Sequence, residues 1–250
     1  MGDLPPAVVE LAERLQALGW VRDLLVAGSL ATGDHVVGVS DIDLVAVVDG
    51  PVDAGRLTAL TAVHRGLDTG AGAGADLGCV YVDSARRLDP ALRHPTWTHG
   101  AMTRRVLSGI TRAELVRHGF TVAGRAPREL FPAMSADDVR AAARAELSGY
   151  WTWAARRPWL WLDRWLPDLS LTSMARARHT LATGDLLTKT RAVEEAAAPG
   201  WLLDQLRARR RGEHVTSPRL RTALIAWDDT RRTISRSPTA PGTAAASGPG

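Results

Sequence analysis

Two carboxylates one residue apart, Asp41 and Asp43, follow a Gly28-Ser29 pair with eleven residues between. The apolar run Leu24 to Ala27 leads into the Gly-Ser pair, and Leu44-Val45-Ala46-Val47-Val48 follows the acids. The pattern predicts a strand ending in a Gly-Ser turn and a second strand, Asp41 to Val48, that opens on its acids. Strand side chains alternate between faces, so Asp41 and Asp43 share one. Two hard oxygen donors on one face suit Mg²⁺ when substrate phosphates complete its coordination. A Gly-Ser turn lets backbone N–H groups and a hydroxyl approach a phosphate closely, the more so where a helix begins. The plainer reading is a solvated strand edge and an ordinary turn. Against it, Asp is depleted in strands, and paired acids at the mouth of an apolar strand repel unless a cation neutralises them.

The surrounding pattern supplies the elements that would hold these groups. Apolar spacing over residues 5–19, opened by Pro5-Pro6, predicts an amphipathic helix,. Pro51 to Leu67 predicts a helix packed on the sheet, and Thr69 to Ala75 a Gly-Ala connection. That connection precedes a strand, which excludes a dinucleotide-binding fingerprint. Asp76 then opens the third strand, Asp76 to Val82, as Asp41 opens the second. A turn acid at a helix-to-strand junction is the plain alternative for Asp76. Asp89 to Pro95 reads as a loop and Thr103 to Ser108 as a short helix. Thr111 and Glu114 form a capping box for another helix, and Phe120 to Ala123 reads as an edge strand. Beyond Ser135 helices are expected at 136–155, 168–183, 187–197, 200–211 and 218–235,. The expected organisation is an α+β catalytic domain over 1–125 with a small mixed sheet. An all-helical bundle domain over 126–236 and a disordered tail over 237–250 follow,.

The 250 residues are 45% hydrophobic and 23% charged, with a formal net charge of +4, values ordinary for a globular chain. The sequence pI of about 10.1 reflects arginine rather than a large excess of positive charge, so it argues little for a nucleic-acid partner. The single cysteine, Cys79, excludes an intrachain disulfide, and with no signal-like or membrane-spanning run the expectation is a cytoplasmic protein. Lys189 is the only lysine in the sequence. Where arginine is the default cation, a retained lysine fits a site that needs a compact, flexible charge. The histidines show no metal-ligand spacing, and no Walker-type phosphate loop occurs,.

The Gly28-Ser29 and Asp41-Ile42-Asp43 combination resembles the DNA polymerase β-like nucleotidyltransferase superfamily. The second half sharpens the resemblance to aminoglycoside adenylyltransferases of the streptomycin/spectinomycin 3''-type. His118 to Pro127 and Glu129-Leu130-Phe131 match that family's connection between halves. Leu171-Thr172 through Arg176, then Thr183-Gly184 and Lys189, match its helix, turn and lysine. The resemblance covers most of residues 20 to 195. It implies that Gly28, Ser29 and Ser40 lie at the nucleotide and that Asp41 and Asp43 hold Mg²⁺, two ions in all. Asp76 matches a glutamate that acts as general base, and it is also a candidate third metal ligand. Arg176 and Lys189 would reach the phosphates of ATP; a surface helix charge and a solvated turn lysine are their plain alternatives.

Tryptophans crowd residues 150–168. Core packing is their ordinary role; a pocket for a cationic acceptor, with Trp161 and Trp165 as walls and Asp163 and Asp168 as acids, is the functional one. The expected reaction is Mg²⁺-dependent transfer of AMP from ATP to a hydroxyl of a small molecule, an aminoglycoside among the candidates. The expected partners are therefore a nucleoside triphosphate and a small acceptor, with no membrane. A protein or RNA end as acceptor is one rival. A non-catalytic, antitoxin-like binding protein is another, opposed by the intact acids and the long helical half.

Overall fold

The structure is a computed structural model that describes residues 4–237. Apart from Ser237, the tail expected to be disordered lies outside the described residues. The chain divides into two compact units, one running to Ala133 and the other starting at Met134.

The first unit is built on a six-stranded mixed sheet. Its strands are β1 (Val21–Val26), β2 (Ile42–Val48), β3 (Leu77–Asp83), β4 (Arg93–Thr98), β5 (Ala101–Val106) and β6 (Phe120–Ala123), in the order β5-β4-β3-β2-β1-β6. Only β2 and β3 run parallel, because a helix, α3 (Ala54–Asp68), connects them,. Burial on both faces explains why β2 reads as an apolar run rather than an alternation,. Leu44, Ala46, Val48, Cys79 and Tyr81 face α1 (Pro6–Ala17) and α3. Val45, Val47 and Val82 face Leu115 and Val116 of α4 (Gly109–His118). Leu130 of α5 (Pro127–Leu130) and the adjoining Phe131 complete that core, which keeps α5 with the sheet.

Caps set the helix starts. Asp53 accepts a hydrogen bond from Arg56 N, and Ser108 from Thr111 N,. Thr111 therefore lies inside α4, one turn past the true cap. The supposed loop at 89–95 ends in β4, and the supposed helix at 103–108 is β5. Together they form a hairpin that turns through His99 and Gly100.

The second unit is helical: α6 (Ala136–Glu146), α7 (Thr152–Ala155), α8 (Leu166–Thr183), α9 (Lys189–Glu194), α10 (Gly200–Arg210) and α11 (Arg219–Ser235). Ser135 and Asp138 cap α6 reciprocally,. A π-helical turn, Leu147–Trp151, links α6 to α7, so the single helix expected at 136–155 is continuous but locally widened. Gly184, at φ 79°, ends α8 in the left-handed conformation,. Its α-carbon lies so near Ala136 that a Cβ there would come within 2.5 Å of the alanine methyl. Among the described residues, no helix is long and apolar enough to cross a membrane.

Candidate active site

The Gly-Ser pair and the two acids meet at the heads of β1 and β2. Ala27 N donates to Asp43 O across the strand pair at 2.9 Å, which sets Gly28 beside Asp43. Gly28 has φ +60°, and a Cβ there would lie 2.1 Å from Asp43 Oδ2. Only glycine satisfies both conditions. The aspartate side chain thus rests on the backbone of the turn. Gly28 also opens α2 (Gly28–Ala31), a single turn of helix. Ser29 is buried within it, and its Oγ has no hydrogen-bond partner among the described residues. A buried hydroxyl without a partner is costly unless a ligand completes it.

The loop from Thr32 to Ser40 returns the chain to β2. Asp34 N and Thr32 Oγ1 both donate to Ser29 O. Ser40 Oγ accepts from Val36 N at 3.0 Å, while Ser40 N donates to Val36 O at 2.8 Å. Ser40 thereby closes the turn that delivers Asp41. Asp41 and Asp43 are both half-buried, and Asp43 lies on the β2 face that carries Val45 and Val47,.

Asp76 is placed by the parallel register, in which Ile42 pairs with Leu77 and Ile42 N donates to Asp76 O at 2.8 Å. Asp76 and Asp41 are therefore neighbours at adjacent strand heads. Their side chains do not gather into a three-acid set. Among the described residues, no group of three or more His, Cys, Asp or Glu side chains could hold a metal ion. Asp76 is exposed instead, with its Oδ2 3.5 Å from His99 Nδ1. Burial first and the Asp76 charge second push the Asp68 carboxyl, at the end of α3, above its usual range. The sequence pattern assigns His99 no role, because the hairpin that carries it lacks strand alternation; the His-Gly pair between two β-branched or basic runs is its local signal.

In the second unit, Arg176 Nε donates to Leu187 O at 2.9 Å, two residues before Lys189. The two expected phosphate-binding cations therefore occupy one locality, joined by the turn after Gly184. Lys189 opens α9, capped by Thr188. The tryptophan segment divides by burial. Trp161 is buried in the helical core and its indole N–H donates to Ala154 O at 3.2 Å. It packs the unit rather than walling a pocket. Asp168 is bound to Arg209 through both oxygens, at 2.5 and 2.9 Å, and burial raises its carboxyl against the effect of that arginine. It ties α8 to α10. Trp165 and Asp163 remain exposed.

Two adjacent carboxylates, a glycine-lined backbone and a buried hydroxyl fit the one or two carboxylates by which Mg²⁺ is held alongside a phosphate. Residues 8–87 match the family model described as a nucleotidyltransferase domain. Over that stretch the chain is similar to a nucleotidyltransferase domain. That match spans α1 to the end of β3 and includes Gly28, Ser29, Asp41, Asp43 and Asp76. The search of curated proteins found no match. Among solved structures, the sheet unit and the helical unit together are similar to the spectinomycin adenyltransferase AAD(9) from Enterococcus faecialis, solved with ATP and spectinomycin. The likeness covers 90% of this chain and 98% of that one, with a TM-score of 0.66 and 15% identity. At that identity the likeness is one of fold, and in fold the chain is adenylyltransferase-like.

Proposed function

We propose that this protein transfers AMP from ATP to a hydroxyl of a small cationic acceptor of the aminoglycoside or spectinomycin type. The observation that carries this reading is the fit of Asp43 on the Gly28 backbone, beside the buried, unsatisfied Ser29 hydroxyl. The solved neighbour holds ATP and spectinomycin, which supports both substrate classes.

In this reading the acceptor oxygen forms a bond to the α-phosphorus, and the bond from that phosphorus to the β-phosphate bridging oxygen breaks. Pyrophosphate leaves with the electron pair. Asp41 and Asp43 would hold Mg²⁺, which when bound supplies charge neutralisation and Lewis acidity at the phosphates. Gly28 N–H and Ser29 Oγ are offered to phosphate oxygens. Asp76, exposed and outside any three-ligand group, takes the acceptor's proton,. Arg176 and Lys189 offset charge on the departing pyrophosphate. Asp163 and Trp165 stand as the acceptor contacts, while Trp161 packs the helical core and Asp168 is held by Arg209.

The test is pyrophosphate release from ATP and Mg²⁺ with spectinomycin, streptomycin and other aminoglycosides. Acceptor-dependent release that Asp41→Ala and Asp43→Ala each abolish is the expected result. Release that survives both substitutions would place the chemistry elsewhere.

A further inference from the structure

The β4–β5 hairpin pairs Thr98 with Ala101 and turns through His99 and Gly100, whose φ angles are 50° and 71°. A two-residue turn with both central residues at positive φ is the type I′ form, which favours Asn, Asp or Gly at its first position. Among the described residues, His99 is the only non-glycine with positive φ. Its backbone would be more relaxed as glycine, so its side chain is where a reason for histidine must be sought.

That side chain reaches Asp76, Nδ1 to Oδ2, at 3.5 Å. Asp76 is 54% exposed and His99 73%, so neither is confined by packing. Among the described residues, Asp76 has no ion-pair partner besides His99. After burial, the Asp76 charge is what raises the carboxyl of nearby Asp68. An aspartate is also one methylene shorter than a glutamate, so its reach depends more on how its carboxylate is aimed. Neutral imidazole protonated at Nδ1 and imidazolium both present a donor to Oδ2.

We propose that His99 is a positioning residue, which holds the Asp76 carboxylate in the orientation that receives the acceptor's proton. The proposal rests on the nucleotidyl-transfer reading above. A proton acceptor must lie within hydrogen-bond reach of the hydroxyl it serves, and a misplacement of about 1 Å can cost a large factor in rate. The role acts through Asp76 and requires no contact between His99 and substrate.

The turn itself makes a clean experiment possible. His99→Gly removes the imidazole at a φ that glycine prefers, so the hairpin is retained. His99→Asn also tolerates that φ and places its amide nitrogen where Nδ1 was. Pyrophosphate release would be followed with ATP, Mg²⁺ and whichever acceptor of the panel supports transfer. His99→Gly should lower kcat roughly tenfold or more, leave KM for ATP unchanged and not lower the melting temperature. His99→Asn should recover a substantial part of the loss. A His99→Gly kcat within about twofold of the wild type would overturn the positioning role while leaving nucleotidyl transfer intact. So would a loss that Asn does not restore. A wild-type protein that transfers AMP to no acceptor would overturn the reading of function, and the role of His99 with it.

Discussion

At the scale of single residues, Gly28 carries the most constraint for the fewest atoms. Its φ of +60° and the 2.1 Å approach that a Cβ would make to Asp43 Oδ2 act together. Gly28→Ala should cost about 1–2 kcal/mol of stability from the backbone alone, measurable by urea unfolding. Nucleotidyl transfer should fall further than stability accounts for, because Asp43 must move. This pair was legible in the sequence, since Gly-Ser before spaced acids on an apolar run is a local pattern. His64 was not. It lies on α3 and faces the sheet, 2.6 Å from Tyr81 Oη and stacked on Trp97 at 4.8 Å. Burial lowers its pKa from 6.5 to about 3. The unfolded chain therefore binds a proton here that the folded chain refuses between those values, and stability falls as pH drops from about 6.5 toward about 3. His64→Gln offers Tyr81 a partner and cannot titrate. Urea unfolding across that range should show a shallower pH slope for the variant than for the wild type.

Elements were legible where their signal was local and periodic. β1, β2, β3 and most of the later helices fall where apolar spacing and caps place them. The β4–β5 hairpin was missed for a physical reason. β5 lies at the sheet edge, and Thr103, Arg104, Arg105 and Val106 are all exposed, so it lacks the alternation by which strands are recognised. Its basic residues also suit an edge, where charge discourages further strand pairing. Trp161 and Asp168 illustrate the same limit from the other side. Residue type suggested a binding pocket, whereas tertiary packing assigned one to the core and the other to a helix-to-helix tie. The bond between Asp168 on α8 and Arg209 on α10 makes a prediction at this scale. Arg209→Met would strand a carboxylate whose pKa burial already raises. The cost should be roughly 3 kcal/mol, read as a lowered urea midpoint. Asp168→Asn in the same background should recover part of it, because the stranded charge is then gone.

At the scale of the molecule, each unit encloses its own core. The clusters around Leu44 and around Val47 lie wholly before Ala133, and those around Met174 and Leu187 lie wholly after Met134. A fragment of residues 1–133 should therefore fold, with a cooperative thermal transition in circular dichroism. It lacks Arg176 and Lys189, the cations proposed to meet the phosphates, and on that proposal it should release no pyrophosphate from ATP. A fragment without a cooperative transition would mean that the first unit depends on the second. Cys79 gives the intact chain a further property. It is the only thiol, it is fully buried in the sheet, and burial pushes its pKa up to about 12. A thiol-directed reagent therefore meets no target on the native protein and reacts only when the first unit opens. The pace of that reaction in dilute denaturant becomes a clock for the sheet unit alone, with the helical unit silent.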